Sequence, residues 1–132
     1  MSFWHREEPP MFIILNGKTL PRLGYGRHRA TYDNGKTVIK IPRHENGFGD
    51  NRYEAKMFKQ FRTEADGNGV RFARCKLLKD GSLVMEKLMD DYYKVRAKAE
   101  FPKWAGYIDC GQVGIDSKGV FKAYDYADYR RR

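Results

Sequence analysis

No stretch of this chain approaches the run of about 18 apolar residues that a membrane-spanning helix needs. That absence excludes such a helix and predicts a soluble protein with no membrane partner. The opening segment, Met-Ser-Phe-Trp-His-Arg-Glu-Glu-Pro-Pro, has no apolar stretch of the secretory kind. Cysteine is nearly missing: Cys75 and Cys110 are the only two, and their spacing fits neither a disulfide framework nor a metal knuckle. A reducing, cytoplasmic setting is expected. His5, His28 and His44 are scattered without acidic or cysteine companions at ligand spacing, which argues against zinc. Neither cysteine has a local histidine motif, which argues against a cysteine nucleophile. Internal repeats and low-complexity linkers are absent too. At 132 residues the chain is long enough for one core, so residues 1–132 are expected to form one domain.

What is abundant is positive charge and aromatic surface. The net charge is +9 and the pI about 9.6, a balance that favours anionic partners at long range. The cations are spread along the chain instead of forming a patch, apart from Arg130-Arg131-Arg132, which reads as a solvated tail. Non-specific nucleic-acid binding is therefore one expectation, without the clustering that marks a dedicated interface. Among the nine tyrosines, Tyr92, Tyr93, Tyr124, Tyr126 and Tyr129 could stack on bases or meet a protein partner. Core or interface packing is the commoner use of such residues.

Turn signals divide the chain into short elements. Asn16-Gly17, Asn34-Gly35, Asp80-Gly81 and Asp116-Ser-Lys-Gly119 each separate two apolar runs, as hairpin turns do. The runs predict strands near 11–15, 19–24, 28–33, 36–42, 70–78, 82–88, 112–116 and 119–125. Between the fourth and fifth, Asn51 is the expected helix cap, with Glu54 three residues on as in a capping box. Tyr53, Met57, Phe58 and Phe61 follow at helical spacing. A second helix is expected over about 90–99, stopped by Pro102. Strands, one main helix, two more strands, a short helical link and a terminal β-hairpin make an α+β pattern built on an antiparallel sheet.

Several short motifs lie along this pattern in a fixed order. Leu23-Gly24-Tyr25-Gly26-Arg27-His28-Arg29 places two glycines in a turn, where backbone N–H groups can approach phosphates. In Val38-Ile39-Lys40-Ile41 the strand alternation puts Val38 and Lys40 on one face. A lysine there needs an anionic partner if buried, and Glu54 on the following helix is the natural one. Leu83-Val84-Met85-Glu86-Lys87-Leu88 ends a strand, and Gln112-Val-Gly-Ile and Asp125-Tyr-Ala sit 13 residues apart in the final hairpin.

In that order the pieces resemble the ATP site of the protein-kinase-like fold over roughly residues 20–127. The resemblance implies an amino-terminal-lobe-like part at about 11–88 and a reduced carboxy-terminal part at 89–132. It further implies an ATP site made by Gly24, Gly26, Val38, Lys40, Glu54, Met85, Glu86 and Leu88. Lys40 would meet the α- and β-phosphates, Met85 would gate the back of the pocket, and Glu86 and Leu88 would offer backbone groups to adenine. Asp125 and Gln112 would hold Mg²⁺.

Two departures bear on activity. The position of the catalytic aspartate, five before Gln112, is Tyr107, and Asp109, three before it, is the remaining candidate base. Only 26 residues separate Glu86 from Gln112 and seven follow Asp125, too few for the helical lobe that docks a peptide substrate. The third glycine position reads Arg29, whose guanidinium obstructs close backbone approach but could contact a phosphate. The expected function is that of a degenerate kinase-like protein acting by binding, as a regulator or inhibitor of another protein. A reduced but active ATP-dependent phosphotransferase and a basic nucleic-acid-binding module are the alternatives. Size and economy suit a bacteriophage-encoded protein working in the host cytoplasm.

Overall fold

The computed structural model describes residues 8–108 and 112–131. The chain is α+β: a six-stranded antiparallel sheet, two helices and a terminal β-hairpin. The sheet contains β1 (Phe12–Leu15), β2 (Lys18–Tyr25), β3 (Arg29–Asn34), β4 (Thr37–Pro42), β5 (Cys75–Leu77) and β6 (Leu83–Glu86), in the order β1-β2-β3-β4-β6-β5. Helix α1 (Glu45–Gln60) crosses from β4 to β5. The link after β6 carries α2 (Tyr92–Lys98) and a 3-10 helix (Lys103–Tyr107), and β7 (Val113–Ile115) and β8 (Phe121–Ala123) close the fold. Among the described residues no helix is long and apolar enough to cross a membrane.

Local chemistry explains most of these boundaries. Asn16 and Gly17 both take positive φ, 52° and 75°, as a two-residue hairpin turn demands, and they set the β1–β2 register opposite Leu15 and Lys18. The expected long strand over 70–78 shortens to Cys75–Leu77, because Phe72 leaves the sheet to bridge Ala123 of the hairpin. The hairpin is thereby tied to the segment before β5 by Ala73 N–H to Ala123 C=O and Ala123 N–H to Arg71 C=O, each 2.8 Å.

The main helix begins earlier than its sequence suggests. His44, not Asn51, caps it, its side chain accepting from the Asn46 N–H. Asn51 lies in the helix interior, fully buried, and its amide donates to the carbonyls of Lys40 and Gly81 at 3.0 and 2.8 Å. The Asn-Gly-Phe-Gly stretch at 46–49 reads as a loop because glycine is a poor helix former. Packing reverses that: a Cβ on Gly47 would stand 2.3 Å from the His28 carbonyl and 2.9 Å from Pro42.

Strand alternation sends alternate side chains of β4 to two cores. Ile39 and Ile41 join Ile13, Leu20, Ala30 and Tyr32 on one face. A larger cluster, including Met57, Phe72, Leu83, Met85, Val113 and Tyr126, lies between helix, sheet and hairpin. Val38 and Lys40 point to this second side, where the space between sheet and hairpin opens as a cleft.

Gly47→Ala separates packing from propensity. In an unhindered helix alanine would stabilise by about 1 kcal/mol over glycine, whereas the clash at position 47 should turn this into a loss of roughly 1–3 kcal/mol. At Gly49 a Cβ would meet only the movable ends of Arg131 and Arg52, 3.2 and 3.9 Å away, so Gly49→Ala should be neutral or stabilising. Urea denaturation of the two variants tests this. Equal effects would show that the close approach of α1 to β4 is not a constraint.

Candidate functional site

The site is built around one carboxylate. Glu54, on the face of α1 turned to the sheet, is completely buried, and an ionised carboxyl there must be compensated or lose its charge. Four donors meet it. Lys40 Nζ from β4 approaches Oε1 at 2.9 Å. Arg29 from β3 reaches both oxygens, Nη1 to Oε1 at 2.6 Å and Nη2 to Oε2 at 3.2 Å. The Tyr126 backbone N–H donates to Oε2 at 2.9 Å. Burial alone would raise the Glu54 carboxyl, but Lys40 and Arg29 outweigh it and hold the pKa at about 2. Burial pulls Lys40 below the ordinary lysine value, with Glu54 opposing.

The two cations extend the network to the hairpin. Arg29 Nη2 donates to Asp125 Oδ1 at 2.9 Å, and Nη1 to the Asn51 side-chain oxygen at 3.1 Å. Lys40 Nζ donates to the Tyr124 carbonyl at 2.5 Å. Asp125 retains 41% side-chain exposure and faces the cleft. Its carboxyl is raised by desolvation, against the pull of Lys40 and Arg29.

The cleft has a volume of about 810 Å³. Gly24, Gly26, Val38, Lys40, Met85, Glu86, Leu88, Gln112 and Asp125 all line it, and Glu54 lies beneath, reached through Lys40 and Arg29. Residues taken from five separate segments of the sequence thus meet at one place. The turn between β2 and β3 covers one side. It is pinned by Arg43 Nη1 to the Gly26 carbonyl at 2.6 Å and by the Arg43 N–H to the His28 carbonyl at 2.8 Å. A Cβ added to Gly24 or Gly26 would meet nothing within 4 Å, so the space beside both glycines is open. At the end of β6, the Glu86 carboxylate turns aside to the Arg74 N–H and Lys122. Among the described residues nothing accepts from the Leu88 N–H.

The remaining candidates fall elsewhere. Tyr107 ends the 3-10 helix, is 59% exposed and is not part of the cleft wall. Asp109 lies outside the described residues. Burial pushes the Cys75 thiol up to about 11, leaving it protonated and unreactive at neutral pH. Tyr126 and Tyr129 are buried packing residues, whereas Tyr92 and Tyr93 are exposed. Arg130 and Arg131 are exposed, as a solvated tail would be, and also paired: Arg131 donates to Asp50 at 2.6 Å, and Arg130 lies 3.5 Å from Asp66. Arg132 lies outside the described residues.

Sequence reasoning missed Asn51 and Asp50 as members of the network, and Arg29 as its second cation. The signal was helical spacing, since Asp50 and Asn51 precede Glu54 by four and three residues and share its face. Placing the helix start at Asn51 hid it.

Glu54 makes stability depend on pH with a definite sign. Its folded pKa, about 2, lies below the ordinary 4.5, so its contribution is complete above about pH 4.5 and is lost as pH falls toward 2. The loss from this group should be on the order of 3 kcal/mol. Urea midpoints across that window, with an NMR titration of the Glu54 carboxyl, measure it. A Glu54 carboxyl titrating near 4.5 in the folded protein would refute the ion-pair network. In comparisons with known proteins, the chain matches no family model, no curated protein and no solved structure.

Proposed function

We propose that this cleft binds a nucleotide of the ATP class and that the protein acts by binding, as a regulator or inhibitor of another protein. One observation carries the reading. The Lys40–Glu54 pair, the Asp125 carboxylate and the strand end at Met85–Leu88 share a single cleft, of a size within the usual range for small-molecule sites. Each part matches a chemical need of such a ligand. Val38, Met85 and Leu88 supply an apolar wall for a flat base. The Leu88 N–H is a backbone donor with no acceptor among the described residues. Of the three ammonium protons on Lys40, two are engaged by Glu54 and Tyr124, which leaves one for a phosphate oxygen.

Phosphoryl transfer is less well supported. Removing a proton from a substrate hydroxyl calls for a base beside the phosphates. The residue at the expected position is Tyr107, an exposed phenol away from the cleft wall. A nucleic-acid role rests on the net charge of +9 alone, because the cations are spread along the chain without forming a patch.

Thermal denaturation with ATP and Mg²⁺ tests the reading. A ligand that binds only the folded state stabilises it by about 2.7 kcal/mol at a hundredfold excess over Kd, so the melting temperature should rise. Val38→Phe fills the base-binding wall without touching the ion pairs and should abolish the rise while leaving the circular dichroism spectrum unchanged. Labelled phosphate should pass neither to the protein nor to generic substrates. If ATP produces no shift, the nucleotide reading fails, and if label is transferred, the binding-only reading fails.

A further inference from the structure

The back of the cleft holds an unusual occupant. A divalent metal partner of a bound polyphosphate needs oxygen ligands in near-octahedral geometry and is usually held by one or two carboxylates. Asp125 is the carboxylate in the right place, yet its Oδ1 already accepts from Arg29 at 2.9 Å. Arginine cannot shed its charge. Nor can this one readily swing away: its side chain is only 10% exposed, and its two terminal nitrogens are shared among Glu54, Asn51 and Asp125. Departure would strip one of the two cations from the buried Glu54. The second expected ligand, Gln112, is a neutral amide. Other acids on the cleft wall are engaged too, Asp50 by His28 and Arg131, Glu86 by Lys122, and Asp90 by the Tyr124 hydroxyl. Asp128 stands on the cleft wall near enough to Asp125 for its charge to raise that carboxyl, so a cation held by the pair would have to share Asp125 with Arg29. Mg²⁺ therefore fits these residues poorly, since it would have to bind a carboxylate that a fixed guanidinium already neutralises.

We infer that the cleft takes its nucleotide as the metal-free polyphosphate, the Arg29 guanidinium standing on Asp125 where a divalent cation would otherwise be held. The inference rests on the nucleotide reading above and specifies the form of its ligand. Arg29 occupies the third position of the glycine turn, so the residue that departs from the glycine pattern is the one that displaces the metal. The phosphates would meet the remaining proton of Lys40 and the Arg27 guanidinium, which is exposed on the cleft wall.

Thermal shift of the full chain decides the matter, with ATP in EDTA, ATP with MgCl₂, and MgCl₂ alone. The shift with ATP in EDTA should be at least as large as with MgCl₂, and MgCl₂ alone should give none. Arg29→Gln frees Asp125, and in that variant the ATP shift should become dependent on Mg²⁺. Should the variant fail to fold, the comparison on the unaltered protein still decides. A shift that requires Mg²⁺ and disappears in Asp125→Asn would overturn metal-free binding while leaving the nucleotide reading intact. Absence of any shift, with or without Mg²⁺, would overturn both.

Discussion

A carboxylate without any exposed surface is the constraint from which the rest of this structure follows. Left alone, Glu54 would cost several kcal/mol in its charged form. It is tolerable only because two strands and the carboxy-terminal segment bring donors to it: Lys40 and Arg29 from the sheet and the Tyr126 N–H from the segment after β8. The requirement is geometric as well as electrostatic, because three elements far apart in sequence must arrive together. Removing one cation would leave the other to carry a buried charge, so the network acts as a unit.

The same requirement explains how so short a chain holds a cleft open. A sheet edge and a hairpin can be kept apart with a cavity between them only if something rigid sets their spacing. Here the segment after β8 does so. Tyr126 is buried beneath α1, its hydroxyl donating to the Ala73 carbonyl at 3.0 Å. Tyr129 donates to Asp66 at 2.5 Å, the Tyr53 hydroxyl bonds to the Tyr129 carbonyl, and Arg131 reaches back to Asp50. These contacts fasten the segment after β8 along the helix that carries Glu54, so Asp125 is fixed relative to Lys40.

Arg29 connects this scaffold to the chemistry of the site. In a turn that runs close to a ligand, glycine is favoured because its backbone can approach. Here Gly24 lies in β2 opposite Thr31 and the Gly26 N–H donates to the Arg29 carbonyl at 2.9 Å, with open space where either side chain would be. The arginine three residues on sends its guanidinium inward, where it helps to balance Glu54 and occupies one oxygen of Asp125. One residue thus stabilises the fold and, in the reading proposed above, sets what kind of anion the cleft would receive.

Patterns of short range were legible in the sequence. The hairpin turns at Asn16-Gly17 and Asp80-Gly81, the α+β order and the alternation that puts Val38 and Lys40 on one face follow from local chemistry: φ preferences and the two-residue period of a strand. The pairing of Lys40 with Glu54 was legible too, because a lysine in an aliphatic strand demands an anion and Glu54 lies on the helix that comes next. The start of α1 was not. Two glycines argue against a helix at 46–49, and only the close approach of Gly47 to His28 and Pro42 makes the smallest residue the right one. Nor could the sequence show that Asn51 would brace the sheet from inside the helix, or that Arg130 and Arg131, though exposed, would find acidic partners. Those outcomes depend on partners 30 and 81 positions away, Gly81 for Asn51 and Asp50 for Arg131. Whether a charged or polar side chain is buried, and against what, is decided by contacts between distant segments, which exist only once the chain has folded.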